Sequence, residues 1–259
     1  MNKKKVMLLL EGSSSKSNEF LSFVDRNFEN CIIEAAFLNI PSKANAIGLS
    51  AYLNSVVKNR EENERSTNIY KIFPNSLIDT PLFLKISRYY DFIITTNSIF
   101  QKIRTAISES AGKEILAEIP LLLLPEVPHD HIENVLFVNS VNSDPFPIFK
   151  KFCYLFPSMC GKHDIIFLQL FDKKISDRKR IEEQREKLSE KKLFEYLNAK
   201  CRSLFVYQTD GTLNERDIRA IKFTERTLLV LGESNEPILT TLFGGSNLFK
   251  NNISFSSSG

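Results

Sequence analysis

Short apolar runs alternate with longer amphipathic stretches along this chain, and the whole pattern occurs twice, at a spacing of about 130 residues. Alternation of this kind is typical of βαβ units, in which helices cover the faces of a parallel sheet. We therefore predict an α/β protein made of two copies of one unit. Pro125 and Pro128 interrupt the pattern between the copies, which gives predicted domains at 1–127 and 132–259.

Each copy is expected to run strand, helix, strand and so on, because apolar runs of strand length are separated by helical periodicity. In the first copy the predicted strands are 6–10, 31–38, 69–73, 91–94 and 121–124, with a helix at 100–118 after the fourth strand. In the second copy we predict strands 135–138, 164–171, 204–207 and 227–231 and helices 146–155, 177–201 and 214–223. We expect the second copy to be shortened at its C-terminus, with 253–255 as a candidate short last strand.

The strongest functional signal follows the strand at 227–231. Gly232 comes directly after this strand, and Gly244, Gly245 and Ser246 precede the next predicted helix. A glycine-rich turn that leads into a helix leaves backbone N–H groups free to bind a phosphate, and the helix dipole adds to the attraction.

These residues and the doubled layout resemble the universal stress protein family in its tandem form. The resemblance implies that each unit is flavodoxin-like or Rossmann-like, with about five parallel strands flanked by helices. Nucleotide-binding members carry Gly-x-x-Gly, nine residues, and then Gly-Ser or Gly-Thr. Here the motif positions are Gly232, Asn235, Gly245 and Ser246, so the spacing is kept and the second glycine is replaced.

The first copy departs further from the family pattern. The same register places Thr96, Ile99, Glu109 and Ser110 at the motif positions, so all the glycines are lost. A carboxylate at Glu109 would repel phosphates.

Family members usually also carry an Asp after the first strand, near the ribose. Its counterparts in this chain are Glu11 in the first copy and Ser140 in the second. The second copy thus has the better phosphate loop, whereas the first keeps the better ribose position.

By this resemblance, the chain is expected to be a regulatory or protective protein of the stress response rather than a catalyst. ATP or another adenine nucleotide would bind at most weakly, in the second unit. The resemblance also implies that the two units form an intramolecular pseudo-dimer and that two chains could form a homodimer. The alternatives are a nucleotide-dependent hydrolase of the same wider fold and a protein-interaction module that uses the charged helix 177–201.

Composition argues against several other classes. The net charge is +3, and basic residues are interleaved with acidic ones, so nucleic acid is not an expected partner. No apolar run approaches the length of a membrane span, and the apolar run after the first lysines is too short for a signal peptide. A cytoplasmic protein without a membrane segment is therefore expected.

Neither a metal site nor a catalytic set is predicted. Cys31, Cys153, Cys160 and Cys201 lie far apart in the sequence without CxxC spacing, and we expect buried, reduced thiols. The segment 129–131 contains two histidines, but we predict that it is a linker between the two units.

Overall fold

The chain divides into two compact units, Met1–His131 and Ile132–Ser257, with the last two residues left aside. The computed structural model describes most of each unit. The described residues are 3–10, 14–38, 51, 54–55, 58, 67–108, 120–140, 144–170, 182–183, 186, 192–209, 212–231, 239, 242–243 and 252–256.

The first unit is a parallel sheet whose strands follow the order β3-β2-β1-β4-β5. Its strands are β1 (Lys4–Leu10), β2 (Cys31–Leu38), β3 (Ile69–Ile78), β4 (Phe92–Thr96) and β5 (Leu121–Leu124). Its described helices are α1 (Ser14–Asn27), α2 (Thr80–Ser87) and α3 (Asn97–Ser108). The first strand in the chain therefore lies in the middle of the sheet.

The second unit repeats this arrangement, with parallel strands in the order β8-β7-β6-β9-β10. Its strands are β6 (Asn134–Ser140), β7 (Asp164–Leu170), β8 (Ser203–Thr209), β9 (Thr227–Leu231) and β10 (Ile253–Ser256). Its described helices are α4 (Phe146–Leu155), α5 (Pro157–Lys162), α6 (Leu193–Lys200) and α7 (Glu215–Ala220). Numbered within its own unit, each sheet has the order 3-2-1-4-5.

The predicted fold class, two repeated α/β units on parallel sheets, is confirmed. The apolar segment at 253–256 forms the fifth strand of the second unit, so the expected C-terminal shortening does not extend to its sheet. Among the described residues, no helix is both long enough and apolar enough to cross a bilayer.

Several predicted boundaries coincide with the structure, and others move. Strands β2, β5 and β9 and helix α4 have the predicted bounds, whereas β3 continues to Ile78 and α3 begins earlier, at Asn97. The short helix α5 was not predicted, because it follows α4 at once and its Pro157 and Gly161 are typical of a turn. Of the predicted charged helix 177–201, the residues 177–181, 184–185 and 187–191 lie outside the described residues, and Leu193–Lys200 form α6.

The central strands are buried on both faces, as expected when helices cover both sides of a parallel sheet. In β1 the residues from Val6 to Leu10 are all at most 1% exposed. In the first unit, one core cluster joins β1, β2 and β4 to α2 and α3, with Phe83, Ile93 and Ile103 among its fully buried members.

A cluster of phenylalanine rings fixes the last strand of the second unit. Phe152 on α4 lies 5.1 Å from Phe137 on β6 and 5.7 Å from Phe255 on β10, measured between ring centroids. Phe156 lies 5.3 Å from the same Phe255 ring. The helical spacing of these rings therefore serves core packing, and it anchors β10 although this strand is short.

A buried amide holds the beginning of β10. Asn252 is 1% exposed, and its side-chain N–H group donates to the carbonyls of Thr224 and Thr227, at 2.7 and 2.8 Å. Thr224 lies in the turn before β9 and Thr227 is the first residue of β9, the strand that pairs with β10. The amide thus helps to fix the register of β10 against β9.

Truncation of the central ring tests this packing. Phe152→Ala should lower the free energy of unfolding by about 3–5 kcal/mol, because it leaves a cavity among rings that cannot close together. Tyr154→Ala is the matched control, since Tyr154 lies on the same helix and is 65% exposed. Urea unfolding followed by circular dichroism measures both variants. Equal stability of the two would show that the ring cluster does not hold the second unit together.

Candidate functional site

The two central strands of each unit meet at a topological switch point, where the chain connections leave the sheet in opposite directions. In the second unit these strands are β6 and β9, which pair in parallel from Asn134↔Thr227 to Val138↔Leu231. Ligands of open α/β sheets bind in the crevice beyond the carboxyl ends of such strands. Ser140 ends β6, and Gly232 follows the last residue of β9, so both predicted segments leave the sheet at this edge.

Most of the predicted phosphate loop cannot be positioned further. Gly232, Asn235, Gly244, Gly245 and Ser246 lie outside the described residues, as do Glu11 and Ser110 in the first unit. The structure places Ser140 at the end of β6, and it places the buried Leu239, Leu242 and Phe243 in the core of the second unit. The connection from β9 to β10 therefore packs apolar side chains on the sheet between its two glycine-containing segments.

Two polar side chains that the sequence analysis missed lie near the same edge. Asn139 and Gln169 are register partners on β6 and β7, and the Asn139 amide donates to the Gln169 amide oxygen at 3.0 Å. They are 6% and 2% exposed. Each is the next-to-last residue of its strand and follows four consecutive apolar residues, which is the signal that could have identified them.

The switch point of the first unit is built differently. Here β1 pairs with β4, from Val6↔Phe92 to Leu8↔Ile94, and helix α3 begins directly after β4. The hydroxyl of Thr96 accepts the backbone N–H of Ile99 at 3.3 Å, and so caps the helix. Ile99, which occupies the position of the second motif glycine, is 2% exposed and belongs to the core.

Three cysteines that are distant in the sequence converge in the second unit. Cys153 lies on α4, Cys160 lies on α5, and Cys201 follows α6. The three sulfur atoms all lie within 4.8 Å of one another, and the sulfurs of Cys153 and Cys160 are 3.3 Å apart. The thiols are free, as expected, and Cys201 is the partly exposed member. Their convergence was not predicted, because it depends on how three helices pack.

The three thiols of the cluster shift one another's pKa in opposite directions. Thiol hydrogen bonds from Cys153 and Cys160 lower the pKa of Cys201 to about 4, and burial opposes this effect only in part. Hydrogen bonds to Cys153 and Cys201, together with burial, raise the pKa of Cys160 far above its usual value. For Cys153, the hydrogen bond with Cys160 lowers the pKa, but the interaction with Cys201 and burial outweigh it and raise the pKa to about 12.

The cluster lies away from the carboxyl edge of its sheet. Helix α5 leads into the beginning of β7, and Cys201 comes shortly before the beginning of β8. These are amino ends of parallel strands, whereas Ser140 and Gly232 follow carboxyl ends. The second unit therefore has two separate groups of candidate functional residues, one at the amino ends and one at the carboxyl ends of its strands.

Comparison with known proteins supports the fold and leaves the function open. No family model matches the sequence, and no curated protein matches it. A universal stress protein from Archaeoglobus fulgidus aligns with a TM-score of 0.57 at 15% identity, covering 100% of this chain and 99% of that one.

Two further solved structures have comparable similarity. A protein from Pseudomonas aeruginosa described as a universal stress protein gives 0.58 at 11% identity, covering 99% of this chain and 93% of that one. The cytoplasmic domain of a prokaryotic cation chloride cotransporter gives 0.55 at 11% identity, covering 98% and 95%. Over its whole length, this chain therefore has the fold of the universal stress proteins, with the same strand order in both units.

Proposed function

We propose that this chain is a universal-stress-type regulatory or protective protein that acts without catalysis, in the cytoplasm. It binds an adenine nucleotide weakly, at one site, in the second unit. The observation that carries this proposal is a difference between the two units at their switch points. A helix directly follows the fourth strand in the first unit, whereas a glycine-containing sequence follows it in the second.

In the first unit a helix, rather than a loop, follows the fourth strand. Helix α3 begins immediately after β4, and Thr96 caps it rather than leaving free N–H groups in a loop. The buried Ile99 stands at a position that requires glycine in nucleotide-binding members. We therefore place the proposed nucleotide in the second unit, and Glu11 and Ser110 stay untested candidate residues of the first unit.

The second unit retains the residues that a phosphate needs. Gly232, Gly245 and Ser246 follow β9 in the spacing of the family motif, with Gly244 next to them, and backbone N–H groups of such a loop attract anions. Asn235 and Ser140 weaken the site, because the first adds a side chain and the second lacks the carboxylate that would contact a ribose. These two departures are the reason for proposing weak binding.

The fold also supports a second candidate, a module that binds another protein. The likeness to a cytoplasmic domain of a cotransporter favours it, because that domain is one part of a larger protein. The charged segment 177–201 would be the contact surface. The pseudo-dimer of the two units and the homodimer of two chains also stay predictions.

Nucleotide titration tests the proposed site. Isothermal titration of the full chain with ATP and with AMP should show weak binding of about one nucleotide per chain. Gly245→Asp should weaken ATP binding about tenfold or more, because a carboxylate beside the phosphates repels them. Gly161→Asp is the matched control, since a Cβ atom at this exposed helical glycine meets nothing within 4 Å.

Two results of this titration would contradict the proposal. Equal binding by the wild type and Gly245→Asp would remove the phosphate-loop assignment. The absence of any binding by the wild type would remove the nucleotide altogether and favour the protein-binding candidate.

The non-catalytic role has its own test. Hydrolysis needs a carboxylate that activates water or holds a metal ion near the phosphates. The carboxylate that follows β6 most closely among the described residues is Asp144, and it accepts the backbone N–H of Phe146 at 3.1 Å. We therefore expect no release of phosphate above the buffer rate when the chain is incubated with ATP and Mg²⁺. Turnover that is abolished by Asp144→Asn would establish the hydrolase instead.

A further inference from the structure

The three converging cysteines of the second unit form a set of soft ligands that the proposed function does not use. Cys153 is 7% exposed and Cys160 is 1% exposed, whereas Cys201 is partly exposed. Within the described part of the chain, no further His, Cys, Asp or Glu joins them. Thiolates are the preferred ligands of zinc and other thiophilic metals.

The sulfur positions suit a single ion. A zinc–sulfur bond is about 2.3 Å long, so sulfurs around one zinc ion lie roughly 3.8–4.0 Å apart. The observed spacing runs from 3.3 Å for Cys153 and Cys160 to at most 4.8 Å within the cluster. Side-chain rotations that move each sulfur atom by less than about one ångström would therefore place all three sulfurs around one ion.

Backbone hydrogen bonds hold the three residues in place. The N–H of Arg202 donates to the carbonyl of Cys160 at 2.9 Å and thereby ties the segment after α6 to α5. The N–H of Cys201 donates to the carbonyl of Leu197 at 2.7 Å, which fixes Cys201 at the end of α6. Helix α5 follows α4 directly, so the positions of Cys153 and Cys160 are coupled through Phe156. Ligands fixed in this way lose little conformational entropy when they bind an ion.

Charge favours a divalent ion at this place. Three thiolates and Zn²⁺ leave one net negative charge, and Lys200 lies close enough to interact electrostatically with Cys153. A monovalent ion would leave two negative charges in a mostly buried cluster, which costs more desolvation energy. Tyr196 lies close enough to interact with the cluster, since burial and then the charges of the three cysteines raise the pKa of this tyrosine.

We propose that Cys153, Cys160 and Cys201 bind one Zn²⁺ ion through their three sulfurs, with water in the fourth position. Water reaches the ion beside Cys201, the partly exposed ligand. Binding displaces the remaining thiol protons to solvent, and no electrons are transferred. The ion joins α4, α5 and the residue after α6, so it stabilises the second unit independently of any nucleotide.

Metal titration of the reduced, chelator-treated full chain tests this site. Co²⁺ should produce sulfur-to-cobalt charge-transfer absorption with a stoichiometry of one ion per chain, and Zn²⁺ should displace it. Zn²⁺ should also raise the melting temperature of the wild type. Cys201→Ser removes the partly exposed ligand and should lower zinc affinity by about 100-fold or more.

The control is Cys31→Ser, which removes a thiol of the first unit and should leave cobalt absorption and zinc affinity unchanged. The absence of a charge-transfer band in the reduced wild type would overturn the proposal, whether or not the variants fold. Unchanged zinc affinity in a folded Cys201→Ser would overturn it as well. The protein could instead contain a Cys153–Cys160 disulfide and bind no metal after this disulfide is reduced. That result would show that the two cysteines are a redox pair and would overturn the proposal.

Discussion

Everything in this fold depends on the pairing of a central strand with two neighbours in parallel. In the first unit β1 lies between β2 and β4, and in the second unit β6 lies between β7 and β9. Because connections leave the central strand in both directions, a crevice opens beyond its carboxyl end. The residues that fill this crevice decide whether a unit binds a ligand. In the first unit a helix capped by Thr96 begins directly after β4 and Ile99 packs in the core, whereas in the second unit the sequence after β9 contains several glycines.

Packing explains why two diverged copies keep one architecture. Parallel strands that are covered on both faces need apolar residues at nearly every position, and both copies supply them. The aromatic cluster around Phe152 and the amide of Asn252 secure β10, which the sequence alone left uncertain. The two copies therefore keep one strand order although their sequences differ.

The sequence predicted the sheet well because the ends of apolar runs such as 31–38 and 227–231 coincide with the ends of the strands. It did not predict α5, since Pro157 and Gly161 carry the local signature of a turn and only packing makes them a helix. The sequence indicated Ser140 as a candidate residue but not the Asn139–Gln169 pair, because this pairing can be recognised only when the register of β6 and β7 is known. The cysteine cluster was missed for a related reason: its members are brought together by tertiary structure and share no local motif.

The central claim is that one unit of this repeated fold retains a ligand site and the other has lost it. Hydrogen–deuterium exchange of the full chain, with and without saturating ATP, tests the claim directly. The account predicts slower exchange in peptides that cover the end of β9 and residues 232–246, and unchanged exchange at the end of β4 and in α3. Slower exchange after β4, or no change in either unit, would contradict it.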